Sequence, residues 1–594
     1  MSEPRIVRVS GALAEARPMR GASLYELVRV GEEKLLAEVI RLDGDVATIQ
    51  VFEETSGLAL GEPVEPTGQT LLAELGPGLL GSTLDGVGRP LVQLAERSGA
   101  FLAPGGAGTT LDRSKRWAFE PARGAGEEIG PGDVLGEVEE RPGLPHRILV
   151  PPEVTGRIAS IEAGDYAVDD PFGALEDGTP LTMLQRWPVR RPRPVAERLS
   201  GGKPMLTGQR IFDFLFPVAE GGAVAVPGGF GTGKTVIEQS LAKYAAADIV
   251  VYIGCGERGN EMAELLTEFP EIEDPRTGRP VMDRTVLVVN TSNMPVVARE
   301  ASVFLGITMS EYYRDMGYRV ALMADSLSRW AEALREIAAR LQEMPGEEGY
   351  PTYLSDRMGK LFERAGRARA LGEPERTGAL TFIAAISPPG GDFSEPVTQA
   401  CLRVAGALWA LDPQLANQRQ FPAVDWDTSY SLFADRVARW FHAEVADDWG
   451  ELRRWAMELL QRDRELREIS GLVGPEALED EDRLILETAR TIRELILGQS
   501  AFDPVDAFSP VEKTHALARL VHAFHEAATD AIEGGAGIGD VDVRSVRRAI
   551  DRVRGATSDE LQERIEEAEE AIEKSARKAE RKASGTPAEE EVVR

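Results

Sequence analysis

Apolar and polar residues alternate through LLAEVIRLDGDVATIQVFEET, on both sides of Asp43-Gly44. A period of two around a turn dipeptide predicts a β-hairpin. Several such strands crowd residues 5–70, which predicts a small antiparallel barrel within an N-terminal domain over 1–75. The texture then turns rich in Gly and Pro, with further strand patterns in GDVLGEVEE and RILVPPEVTGRIASI. An inserted β-rich domain with its connector is expected over 76–195. The connector RWPVRRPRPVAERL reads as a stiff, extended linker because its X-Pro pairs disfavour helix.

Over 196–435 apolar strands alternate with amphipathic helices, the pattern of a mostly parallel sheet covered on both faces. Helical periodicity alone continues over 436–556, predicting a C-terminal helical bundle. The last stretch, 557–594, opens with a capping-box spacing from Thr557 to Glu560. Leu561, Ile565, Ala568 and Ile572 then form one apolar stripe. The helix they define is expected to be a solvated end or a docking segment for a partner, and the final SGTPAEEEVVR to be disordered. The fold class is therefore multidomain α/β.

Composition narrows the function classes. A chain of 594 residues exceeds one core and predicts three or four domains. Its net charge of −31 repels nucleic acid over much of the surface, which disfavours a DNA or RNA motor. Two cysteines, Cys255 and Cys401, cannot make a disulfide framework and read as small buried hydrophobes. No apolar run reaches the roughly 20 residues that span a bilayer, and MSEPRIVRVS has no signal-peptide pattern, so any membrane link is expected to run through partners. His515, His522 and His525 share one face of a predicted helix without further ligands nearby, which favours packing or surface roles over metal binding.

The chemistry centres on PGGFGTGKT. Gly228, Gly229, Phe230, Gly231, Thr232, Gly233, Lys234 and Thr235 fit the phosphate-loop pattern between an apolar strand and a helix that continues through Val236. Glycines let the backbone wrap a phosphate, and the helix N-terminus turns its N–H groups toward it. Lys234 neutralises the β- and γ-phosphates, and the Thr235 hydroxyl suits Mg²⁺. Downstream, the strand Val320–Ala324 ends in Asp325, a hard oxygen ligand for the same ion. Between them an apolar strand, Ile249–Ile253, leads into a predicted Gly-Cys-Gly-Glu-Arg turn carrying Glu257 and Arg258. A carboxylate there suits polarisation of an attacking water, and the arginine suits charge stabilisation.

These motifs, together with NTSNMPVVAREAS, VALMADSLSRWAEALREI, EEGYPTYL, SPPGGDFSEPVTQ, FPAVDW and LVGPEAL, resemble the catalytic A subunit of bacterial and archaeal rotary ATPases of the V/A type. The match covers most of residues 5–555. The resemblance implies an ATP hydrolase and synthase that binds ATP or ADP with Mg²⁺. It implies three A and three B subunits alternating in a ring, with central and peripheral stalk subunits. Coupling to H⁺ or Na⁺ transport would run through a membrane sector held only by partners, with the ring on the cytoplasmic face.

By the same resemblance Glu257 polarises water, Lys234 and Thr235 take the loop's roles, Asp325 serves magnesium, and Arg258 and Arg329 lie near the phosphates. Phe421 and Phe502 match adenine contacts, and a finger arginine comes from the neighbouring B subunit. Gly229 stands where the pattern usually carries Pro, and Phe230 is expected to face a neighbouring subunit. The alternatives are a structural subunit that binds nucleotide without turnover and a hexameric nucleic-acid translocase.

Overall fold

The alternation around Asp43-Gly44 becomes a hairpin in the computed structural model, which describes residues 3–98, 109–275 and 277–583. Strand Leu35–Asp43 pairs with Val46–Val51 in a register that sets Asp43 opposite Val46. Gly44, at φ 64°, takes the first of the two loop positions, where a β-carbon would be strained. Six antiparallel strands follow the order first, second, fifth, fourth, third, sixth. The ends meet: Arg5 bridges Pro63, the Ile6 N–H donates to Glu62 O at 2.9 Å, and the Val64 N–H donates to Pro4 O at 2.9 Å. The barrel is closed around Val28, Val30, Val39, Ile49 and Val51, all buried.

The described residues form two compact units. One draws on described residues within 1–201, 220–227 and 247–405, the other on those within 202–219, 228–246 and 406–583. The first holds the barrel, the inserted β-rich region and a parallel sheet. Its parallel strands run in the order Ala223–Pro227, Thr377–Ile386, Arg319–Asp325, Ile249–Glu257, Thr285–Thr291 and Thr83–Leu84. The apolar residues of the central strands are buried, as strands covered on both faces require. Cys255 and Cys401 are buried free thiols, and burial pushes the Cys255 thiol up to about 12.

The arginine-rich connector carries ion pairs to distant segments. Arg190 donates to Glu300 at 2.8 Å and to Glu38 of the barrel at 2.9 Å. Arg193 donates to Asp315 at 2.7 Å, and its backbone N–H to Glu311 at 3.1 Å. The segment runs extended, and while Arg186 and Arg191 keep exposed side chains, Arg193 is buried and Arg190 largely so. Carboxylates from distant segments neutralise these last two, which is what buried guanidinium groups need.

In the second unit the helices Trp449–Val473, Asp480–Thr491, Val511–Glu533, Val543–Arg554 and Leu561–Ala583 pack together. The last of them covers its own chain. Ile565, Ala568 and Ile572 are buried, Ser575 Oγ accepts from the Asp542 N–H at 2.9 Å, and Arg519 reaches Glu569 at 2.6 Å. The expected capping contact is present: the Thr557 N–H donates to Glu560 at 3.3 Å. The segment expected to be disordered, 584–594, lies outside the described residues. His525 shares a hydrogen bond with Thr488 at 3.0 Å and lies beside Trp455, a packing role. Among the described residues no helix is long and apolar enough to cross a membrane.

Candidate active site

Three strands of the parallel sheet end at one edge. Pro227 pairs with Ile386, Ala324 with Ala384, and Gly254 with Asp325, so Pro227, Asp325 and the Gly254–Glu257 segment emerge together. Ligands bind at this carboxyl edge of parallel sheets. Asp325 is 4% exposed, and its carboxylate accepts from the fully buried Tyr252 hydroxyl at 3.4 Å. The Ser326 hydroxyl beside it is buried with no hydrogen-bond partner. A carboxylate and a hydroxyl oxygen side by side are hard donors of the kind a magnesium ion takes. Among the described residues no three His, Cys, Asp or Glu side chains gather into a complete metal cage, so phosphate and water oxygens would supply the rest.

Glu257 does not stand in a turn. Strand Ile249–Glu257 continues past Ile253 because Arg319–Asp325 pairs with it as far as Gly254 and Thr285–Thr291 as far as Glu257. The register slips between Cys255 and Glu257, where Gly256 takes φ 73°. That is a bulge, a device that re-aims the side chain after it. Arg258 follows as an extended residue ahead of helix Gly259–Glu268, its guanidinium 3.9 Å from Glu261. Arg329, on helix Leu327–Arg340, donates to Glu332 at 3.0 Å. Burial works against the Arg329 charge, yet Glu332 and Glu257 together hold its pKa above the ordinary value.

In the second unit the phosphate loop runs directly into helix Lys234–Tyr244. Gly231 and Gly233 adopt φ 77° and 85°, left-handed values that suit glycine. A β-carbon on Gly228 would come within 2.7 Å of Thr232 Oγ1 and 2.8 Å of Leu411. Thr232 donates to Gly229 O at 2.8 Å, and Lys234 Nζ to Gly228 O at 2.6 Å, setting the ammonium at the loop's rim. Ile237 is the first helical residue to bond back, to Gly233 at 3.0 Å, so the N–H groups of Thr235 and Val236 precede the helical ladder. A loop of this form accommodates phosphate oxygens. Phe421 packs against Gly233, and Phe421 O accepts from the Gln499 N–H at 2.8 Å. Phe502 is 89% exposed and Phe230 is 80% exposed.

Tyr252, Gly256 and Arg299 carry no signal of their own in the sequence, although each lies within or beside a motif that does. Only the bulge and the buried tyrosine contact single them out.

The chain matches four family models in order. The β-barrel domain of the ATP synthase alpha/beta family covers 6–68, and the alpha/beta subunit barrel-sandwich domain covers 108–190. The family's nucleotide-binding domain covers 208–431, and the C-terminal domain of V and A type ATP synthase covers 438–538. The V-type ATP synthase alpha chain of Anaeromyxobacter dehalogenans strain 2CP-1 is 58% identical over 534 residues, 90% of this chain and 91% of that one. The corresponding A subunit of the A-type ATP synthase of Methanopyrus kandleri is 52% identical over 566 residues, 94% and 96% of the two chains. Among solved structures, the assembled ATPase EscN of the enteropathogenic E. coli type III secretion system covers 87% of this chain and 100% of its own. It has a TM-score of 0.63 at 22% identity, a likeness of fold. With barrel, insertion, nucleotide-binding domain and helical C-terminus matched in sequence order, the chain belongs to the ATP synthase alpha/beta family, among the alpha, or A, chains of its V- and A-type members.

Proposed function

We propose that this chain turns over ATP as the catalytic subunit of a rotary ATPase, with Lys234, Thr235, Glu257 and Asp325 as the residues that carry the chemistry. The observation that carries this reading is the bulge at Gly256, which re-aims Glu257 at the sheet edge where Asp325 also emerges. Lys234 and the N–H groups of the helix start offset phosphate charge. Thr235 and Asp325 would hold Mg²⁺, which when bound draws negative charge from the phosphate oxygens. Glu257 takes a proton from the attacking water in hydrolysis and returns it in synthesis. Arg258 and Arg329 supply positive charge near the transferred group. Phe421 and Phe502 form the adenine contacts.

The assembly we propose is an alternating ring of three A and three B subunits with central and peripheral stalks. The B subunit contributes a finger arginine, and the ring lies at the cytoplasmic face of a membrane it touches only through partners. The exposure of Phe230 supports a role against the neighbouring subunit. We take the domains to run 1–75, 76–195, 196–435, 436–556 and 557–594.

The test is Glu257→Gln in a reconstituted ring. Nucleotide binding should persist while steady-state hydrolysis falls by about two to four orders of magnitude, the usual contribution of a positioned base. Turnover near that of the unmutated ring would sink the assignment.

A further inference from the structure

The bulge that aims Glu257 is braced by a residue with no assigned role. A β-carbon on Gly256 would stand 2.9 Å from Arg299 Cδ, 3.0 Å from Arg299 Nε and 2.8 Å from Arg329 Cβ. The stems of two arginines therefore press on the peptide just before Glu257. Arg299 Nη2 donates to Ser292 O at 3.0 Å, and the Ser292 N–H donates to Glu257 O at 2.8 Å. Thr291, the residue before Ser292, is the register partner of Glu257 in the neighbouring strand. The Arg299 carbonyl accepts from Ser302 Oγ at 2.8 Å and from Cys255 Sγ at 3.5 Å, which fixes the base of the side chain. Its Nε is buried without a hydrogen-bond partner. Such a desolvated group is retained at a cost, which points to a role beyond solubility.

We propose that Arg299 is a positioning residue: it clamps the Ser292 carbonyl and the Gly256 peptide so that Glu257 keeps one orientation at the sheet edge. Its role in this proposal runs through the protein backbone it holds. A bulge left to itself has a choice of local twists, because the unpaired residue has lost its ladder bond. With the Gly256 backbone wedged by the two arginine stems and the Glu257 carbonyl tied through Ser292, that choice is removed. A general base displaced by about 1 Å loses rate on the order of a hundredfold while ground-state binding is little changed.

This inference rests on the catalytic reading of Glu257, so its test runs four variants side by side in the reconstituted ring: Arg299→Met, Arg299→Lys, Glu257→Gln and the double variant Glu257→Gln/Arg299→Met. Arg299→Met should lower kcat at least tenfold while KM for MgATP stays within about twofold, the signature of an interaction realised at the transition state. Arg299→Lys keeps a donor within reach of Ser292 O and should recover a substantial part of the loss. The double variant should be no slower than Glu257→Gln alone, because Arg299 acts through that carboxylate. Unchanged kcat in Arg299→Met, a lysine variant as slow as the methionine one, or additive losses in the double variant each overturn the proposal. If Glu257→Gln itself turns over normally, the reading beneath it fails instead, and the two failures are distinguished.

Discussion

The ring of Phe421 lies against Gly233, its nearest carbon 3.6 Å from where a β-carbon would stand on that glycine. An aromatic side chain, 44% exposed, thus borders the glycine-rich loop. The same residue is tied through its carbonyl to Gln499, three positions before Phe502. Stacking of a base on such a ring is worth about 1–3 kcal/mol.

Phe421→Ala should therefore weaken ATP binding roughly five- to hundredfold, while Phe421→Trp retains most of the affinity. Fluorescence titration with a labelled nucleotide measures this directly. Equal affinity in the alanine variant would remove Phe421 from the adenine site.

Adjacent glycines in the loop should respond in opposite ways. A β-carbon on Gly228 meets Thr232 Oγ1 and Leu411, whereas one on Gly229 meets only Pro413 at 3.5 Å, an ordinary contact. Gly228→Ala should distort the loop and abolish tight nucleotide binding. Gly229→Ala should change stability by less than about 1 kcal/mol and leave binding intact. Calorimetric titration of the two variants with ATP decides, and equal behaviour would contradict the packing.

Arg190 is the sole hydrogen-bond donor shared by Glu38 and Glu300 among the described contacts, and these carboxylates are 1% and 4% exposed. Burial presses the Glu38 pKa upward against the opposing pull of Arg190. Arg190→Met leaves two carboxylates buried without their main counter-ion, at a cost of about 3–5 kcal/mol. Hydrogen exchange should accelerate in the barrel strand Leu35–Asp43 and in helix Val296–Asp315. Unchanged protection in both would show that the ion pairs contribute little.

The helical region should weaken on mild acidification. Burial pushes the His525 pKa down to about 4, with His522 adding to the shift. The folded chain keeps this imidazole neutral, while the unfolded chain takes up a proton below its ordinary value near 6.5. The stability it contributes is complete above pH 6.5 and is lost as pH falls toward 4. His525→Gln should flatten that part of the profile. Thermal unfolding of both chains between pH 7 and pH 4.5 measures the difference, and parallel curves would exclude His525 as the group responsible.

What could be read from the sequence followed the range of the interactions involved. The hairpin at Asp43-Gly44 and the phosphate loop were legible because each is a local demand on backbone conformation, met by glycine at fixed offsets. Strand Ile249–Glu257 is longer than composition suggests: Gly254 and Gly256 argue for a turn, and continued pairing with Thr285–Thr291 carries the strand through them. Arg190 and Arg193 were legible as charges but not as buried ones, since their carboxylates lie 110 or more positions away in Glu300, Glu311 and Asp315. The apolar stripe of helix Leu561–Ala583 was evident, whereas the surface it covers depends on how the preceding helices pack. Arg299 left no local signal, because its contacts matter only once the bulge exists.

The join between Arg5 and Pro63 has a consequence for how this chain meets others. With Pro4–Ile6 hydrogen-bonded to Gly61–Val64, that stretch of the barrel's edge is already paired and is closed to strand addition by a neighbour. Contacts made there must be side chain against side chain. Repeated copies can then sit side by side without exchanging segments, and each can leave without any part of the barrel unfolding.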